Sequence, residues 1–258
     1  MKRPENRLKQ ALLKGETSFG TCMYSFSPAI MELAGFCGLD FCRIDNEHAW
    51  RQDHTGEELL KGAYLSGIAA LLRVDKGYPA MIRKGLEAGA AGIIVPHITC
   101  AKDVQDIVDA AKFPPVGHRG FGGLCFSGQW GTNAGTEWME WSNNEQMVIP
   151  MIEDVEAVEC IDEIMSVKGM DGVFFGPADY SISAGVPLQT RSQTVLDAVQ
   201  KTIDAANKHG RFVIFGAKYP YWEDAPTLKE MGVHAIEVGH DVTILANNWK
   251  KTLECMRG

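Results

Sequence analysis

Four short clusters of ionisable residues stand directly after apolar runs: Asp45-Asn46-Glu47-His48, Arg73, Glu153-Asp154 and Gly176-Pro177-Ala178-Asp179. Together they offer a possible base, a cation and two carboxylates, the parts needed to make a carbanion beside a carbonyl. Such chemistry requires a proton acceptor near neutral pH, a Lewis acid on the carbonyl oxygen, and positive charge for the developing oxyanion. A divalent ion held by Glu153 and Asp179 could chelate the carboxylate and keto oxygens of a 2-oxo acid and leave its other positions to water. With only two carboxylates as ligands, Mg2+ or Mn2+ is more natural than zinc, and Co2+ is a further option.

Each residue taken singly also has a plain structural reading. His48 could be a surface or hydrogen-bonded core histidine, and Arg73 could bridge to Asp75 or Glu87. Glu153 could open the next helix at its positive end, and Asp179 could cap a turn. The joint placement of all four at the ends of apolar runs favours a shared site.

The elements that must position them follow a regular plan. Short segments rich in β-branched and aromatic residues fall at 20–24, 41–44, 69–72, 92–95, 148–152, 173–175, 212–215 and 235–238, each followed by a helical pattern. Eight β/α units predict one (β/α)8 barrel spanning residues 1–258 as a single domain, with its active site at the C-terminal ends of the strands. Ser27 before Pro28 reads as a helix N-cap, Pro79 opens another helix, and Gly210 ends one. The connection 113–146 is unusually long, with Pro114-Pro115, several glycines and three tryptophans, and long loops of this kind are commonly functional. A doubly wound open sheet is the alternative, but residues 24–28 carry no glycine-rich phosphate turn.

Composition narrows the partners. Hydrophobic residues make up 45% and charged residues 22% of 258, ordinary for a globular chain. A formal charge of −8 argues against nucleic acid, so small molecules are the expected partners. Residues 1–16 lack the apolar stretch of a signal peptide and no run is long enough to span a membrane. Seven cysteines, at 22, 37, 42, 100, 125, 160 and 255, form no Cys-x-x-Cys pair and suit a reducing cytoplasm.

The chain resembles the HpcH/HpaI family of metal-dependent class II pyruvate aldolases over nearly its whole length. The resemblance rests on Ile44-Asp45-Asn46-Glu47-His48, Leu72-Arg73, Ile94-Val95-Pro96, the run Pro114-Pro115-Val116-Gly117-His118-Arg119-Gly120, Ile152-Glu153, and Gly172-Val173-Phe174-Phe175 leading into Gly176-Pro177-Ala178-Asp179. It implies that His48 is the proton acceptor, with Glu87 raising its basicity and Asp45 a further carboxylate nearby. It also implies that Glu153 and Asp179 bind the metal, that Arg73 stabilises the enolate, and that backbone N–H groups of Ala178 and Asp179 receive the substrate carboxylate. The implied reaction is reversible cleavage of a 4-hydroxy-2-oxo acid to pyruvate and an aldehyde through a metal-stabilised enolate. The implied assembly is a homo-oligomer, commonly a hexamer, whose C-terminal helix at 242–256 is exchanged between subunits.

Several positions depart from the family pattern. Met151 stands where glutamine is common, Glu87 where aspartate is usual, His97 for methionine and His118 for glutamate, while 121–131 lacks the usual alanine- and arginine-containing run. These departures leave a second reading open, a carboligase or acyl-CoA lyase using the same enolate. Lys218, just past the seventh apolar segment, suggests a Schiff-base aldolase as a third, and a non-catalytic metabolite-binding barrel is a fourth.

Overall fold

The computed structural model describes residues 5–49 and 53–258. Eight parallel strands close into a barrel, each hydrogen-bonded to its successor and the last to the first. They are β1 (Ser18–Met23), β2 (Phe41–Asp45), β3 (Ala69–Arg73), β4 (Gly92–Val95), β5 (Met147–Ile152), β6 (Gly172–Phe175), β7 (Phe212–Gly216) and β8 (Ala235–His240). All eight expected strands form, most a residue or two longer than their apolar runs, as where the β2 to β3 ladder continues into Asp45 and Arg73.

The helices in chain order are α1 (Arg7–Leu13), α2 (Pro28–Phe36), α3 (Asp53–Ser66), α4 (Pro79–Glu87), α5 (Ala101–Ala111) and α6 (Thr136–Glu145). They continue with α7 (Val155–Glu159), α8 (Ile161–Ser166), α9 (Pro177–Ser183), α10 (Gln193–His209), α11 (Tyr221–Glu230) and α12 (Asp241–Arg257). The expected punctuation is present: Ser27 accepts from the Ile30 N–H ahead of Pro28, Pro79 opens α4, and Gly210 ends α10 at φ 62°. A glycine there avoids the Cβ strain of the left-handed region. Among the described residues no helix is long and apolar enough to cross a membrane.

Two apolar layers follow from the alternation of side chains along the strands. Ile44, Leu72, Ile93, Val148 and Val173 face outward into the helices. Phe41, Leu71, Ile94, Ile149, Phe174 and Ile214 fill the barrel, together with Leu8 and Leu12. Those two leucines come from α1, an element the mixed charge of residues 1–16 did not suggest. Asn6 donates to the Ala91 and Glu145 carbonyls and Lys9 pairs with Asp171 at 2.6 Å, so α1 lies across the N-terminal ends of the strands and closes the floor.

The long connection also holds more structure than a loop: a cis Pro114-Pro115 bond, a 3-10 turn at Gln129–Gly131 and α6. Trp138 on α6 is fully buried, with Phe113 and Phe121 rings edge-on at 5.2 and 5.5 Å and the Arg119 guanidinium 5.6 Å from its centroid. Burial lowers Arg119 to about 10. Trp138→Ala should cost about 3–5 kcal/mol in chemical denaturation; a loss under about 1 kcal/mol would show that the connection is anchored elsewhere.

At the other end of the chain α12 leaves the barrel with Ile244, Leu245, Trp249, Leu253 and Met256 all exposed, and Asp241 is its buried residue.

Candidate active site

The site begins with strand register. β2 and β3 pair so that Asp45 is the partner of Arg73, both pointing inward at the C-terminal rim. Asp45 is completely buried and accepts from Arg73 through both Nε (3.2 Å) and Nη2, from Arg43 Nη1 at 3.3 Å, and from the backbone N–H groups of Glu47 and His48 at 3.2 Å each. Burial alone would raise its carboxyl, but the Arg73 bond and charge, the Tyr24 hydroxyl and Arg43 hold it well below the usual carboxylate range. Asp45 is therefore a fixed anion that orients Arg73 and the His48 backbone. Its contribution to stability is complete at neutral pH and fades as the pH falls below ordinary carboxylate values.

Arg73 does not bridge to Asp75 or Glu87, the partners its plain structural reading named. Its second ion pair is to Glu47, Nη1 to Oε2 at 2.7 Å, and its Nη1 lies 3.8 Å from the Met151 sulfur. Met151 thus stacks an apolar, polarisable group against the guanidinium where an amide would have made a hydrogen bond.

His48 follows Asp45 by three residues with its imidazole 57% exposed and Nε2 3.8 Å from Glu47 Oε2. It lines a mouth cavity of about 360 Å³ together with Arg73, Met151, Ala178 and Asp179.

The acidic half of the site comes from β5 and α9. Glu153, just past β5, is 1% exposed; its Oε1 accepts the His97 N–H at 2.8 Å. Among the described residues its Oε2 carries no hydrogen bond, and a Cβ at position 176 would stand 2.7 Å from that oxygen, so Gly176 keeps the space beside it open. Asp179, in the first turn of α9, has no hydrogen bond or ion pair among the described residues. Burial raises Glu153 against the lowering effect of His97, and the negative charges of Asp179 and Glu47 add to the rise. A carboxylate pushed up by burial and like charge, next to a second without a partner, is a setting that a divalent cation relieves.

A rival donor set gathers at the β1 and β8 side, where ligand atoms of Cys22, Glu237 and His240 lie within 4.8 Å of one another. Arg43 Nε and Nη2 already donate to the two Glu237 oxygens at 2.8 Å each. Burial raises the Cys22 thiol and lowers His240. A neutral thiol and a carboxylate neutralised by arginine fit a cation poorly, so the Glu153 and Asp179 pair is the better metal candidate.

Asp45, His48, Arg73, Glu153, Ala178 and Asp179 are thus brought to one mouth. Among the described residues no hydrogen bond or ion pair joins Glu87 to His48. Glu87 ends α4 beneath the long connection, where its Oε1 is buried without a hydrogen-bond partner and lies 2.5 Å from where a Gly122 Cβ would be. His118 is remote, exposed and 3.4 Å from Asp109.

Two residues without an assigned role join the site. Glu47 pairs with Arg73, and His97 Nε2 approaches Glu47 at 3.6 Å while its Nδ1 lies 3.4 Å from Glu153. His97 sits at φ 55°, strained for a non-glycine residue, and is held there by its N–H bond to Glu153 and by Lys76 Nζ donating to its carbonyl at 2.7 Å. Glu47 lies inside the Asp45 to His48 run, so its position past β2 was a usable signal; the His97 ring required the fold.

Comparisons with known proteins agree with this fold. A sequence model of a family described as HpcH/HpaI aldolase/citrate lyase matches residues 19–248. A 2-keto-3-deoxy-L-rhamnonate aldolase from Klebsiella pneumoniae is 30% identical over 240 residues, covering 93% of this chain and 88% of the relative. The crystal structure of the citrate synthase SbnG superposes with a TM-score of 0.88 at 32% identity over 98% of each chain. An HpcH/HpaI aldolase/citrate lyase family protein from Burkholderia cenocepacia J2315 gives a TM-score of 0.91 at 26% identity, over 98% of this chain and 100% of the other.

Proposed function

The chain belongs to the HpcH/HpaI aldolase/citrate lyase family, and on that premise we propose a divalent-metal-dependent class II aldolase that reversibly cleaves a 4-hydroxy-2-oxo acid to pyruvate and an aldehyde. The observation that carries the reading is the Glu153 and Asp179 pair, two neighbouring carboxylates with open space at Gly176 and, among the described residues, no lysine or arginine paired to either. A Mg2+ or Mn2+ ion held there would polarise the keto oxygen of a 2-oxo acid and acidify its methyl group.

The chain's own residues supply the rest. His48, with its ring open to the mouth and its backbone fixed by Asp45, takes the methyl proton in the synthetic direction. In cleavage it takes the proton of the 4-hydroxyl group and returns one to the enolate carbon. Arg73, locked between Asp45 and Glu47, presents rigid positive charge to the enolate oxygen without reorganising. The N–H groups of Ala178 and Asp179, in a first helical turn where such donors have no intrahelical partner, receive the substrate carboxylate.

A carboligase or acyl-CoA lyase working through the same enolate is the second reading, favoured by the likeness to a citrate synthase. The aldolase reading predicts that pyruvate in D2O with the protein and Mg2+ or Mn2+ gains methyl deuterium, read by mass spectrometry, and stops doing so on chelation. Absence of exchange with either ion would remove the pyruvate aldolase and leave a thioester or another donor. The exposed apolar face of α12 supports assembly with neighbouring copies, a hexamer by the family pattern, through exchange of this helix. The unpaired cysteines support a reducing compartment such as the cytoplasm.

A further inference from the structure

Four cationic side chains line the mouth cavity: Arg43, Arg73, Arg191 and Lys218. Three are committed to the protein. Arg43 is held by both oxygens of Glu237, Arg73 by Asp45 and Glu47, and Arg191 by Asp224 at 2.6 Å and the carbonyls of Thr190 and Gly216. Among the described residues Lys218 Nζ has neither a hydrogen bond nor an ion pair. The carboxylate nearest in sequence, Asp224, is taken by Arg191 and by the Lys218 backbone N–H at 2.7 Å.

That backbone bond matters for aim. The segment after β7 is tied down twice, at the Gly216 carbonyl by Arg191 (2.8 Å) and at the Lys218 N–H by Asp224, so the lysine stem starts from a fixed point on the rim. On the same cavity lining the Thr190 hydroxyl is also without a hydrogen bond among the described residues. The acidic groups of the lining do not compete for the ammonium: Glu237 is neutralised by Arg43, and Asp179 belongs to the metal candidate. A desolvated pocket of the kind an imine-forming lysine needs is missing, since Lys218 is exposed.

Resting on the aldolase reading, we propose that Lys218, with Thr190 as a second donor, is a specificity-determining residue that receives a carboxylate at the far end of the acceptor aldehyde. The enzyme then prefers an anionic oxo acid as acceptor over a neutral aldehyde of the same length. A lysine suits this task because its ammonium is a compact charge on a flexible stem and can meet carboxylates at more than one distance. A cavity of about 360 Å³ is in the range of small-molecule sites and admits a second short substrate beside pyruvate.

Matched acceptors test it. With pyruvate and Mg2+, kcat/KM is measured for glyoxylate against glycolaldehyde and for 4-oxobutanoate against butanal, on the parent protein, Lys218→Met and Lys218→Arg, with methyl exchange followed in parallel. The anionic member of at least one pair should be favoured by about 10-fold or more, as a charge-assisted hydrogen bond provides. Lys218→Met should collapse that ratio through KM, and Lys218→Arg should restore part of it. Exchange in the parent without anionic preference, or a preference that Lys218→Met leaves intact, overturns the role of Lys218 alone. Loss of exchange in Lys218→Met overturns it too, by assigning the lysine to enolisation. No exchange in the parent removes the aldolase reading and this one with it.

Discussion

Replacing His48 with alanine is expected to lower pyruvate methyl exchange and aldol turnover by about 10²- to 10⁴-fold, the range a positioned general base contributes. The reasoning is geometric. Arg73 and Asp45 are locked in buried ion pairs and Glu153 is enclosed, while the proposed base, His48, lines the cavity with an open ring. Because that ring is more than half exposed, its removal takes nothing from the core, and the unfolding free energy should stay within about 0.5 kcal/mol of the parent. Calorimetry should find Mg2+ or Mn2+ affinity close to that of the parent as well. Turnover within about 10-fold of the parent, on a protein with intact fold, would move the base to another residue.

Glu153→Gln should produce a pair of opposite effects. Affinity for the divalent ion should fall by more than the 10- to 100-fold that even loss of an outer-shell partner costs, and turnover should fall with it. In chelator the same variant should be more stable than the parent at neutral pH, because burial and the charges of Asp179 and Glu47 push the Glu153 carboxyl up. A carboxyl raised in the folded state costs stability once the pH exceeds its unfolded value, and a neutral amide escapes that cost while its oxygen still accepts the His97 N–H. Calorimetric titration and chemical denaturation with and without metal read both effects. Unchanged ion affinity would place the metal elsewhere, and a destabilised metal-free variant would mean that Glu153 serves the fold.

The barrel was legible because short apolar runs and helical patterns alternate eight times, and the strand ends named the rim on which Asp45, Arg73, Glu153 and Asp179 meet. What lay beyond reach depended on direction. Arg43 and Glu237 sit inside the apolar runs of β2 and β8, and their inward alternation was a signal of buried pairing, yet only the register shows that they bond each other. Glu87 was assigned by family pattern, and the pattern says nothing of the long connection whose Ser127 N–H bonds the Glu87 carbonyl in this chain. Leu8 and Leu12 stand four residues apart, the spacing of one helical face, but a seven-residue element of mixed charge carries too weak a period to be read alone.

The helix lying across the strand starts has a kinetic corollary. With Leu8 and Leu12 packed into the bottom of the interior, the cavity at the opposite end is the entrance the described residues offer to the rim carboxylates. Under the proposed reaction the ion and both substrates would share that entrance, and product-inhibition kinetics would read whether they bind in a fixed order.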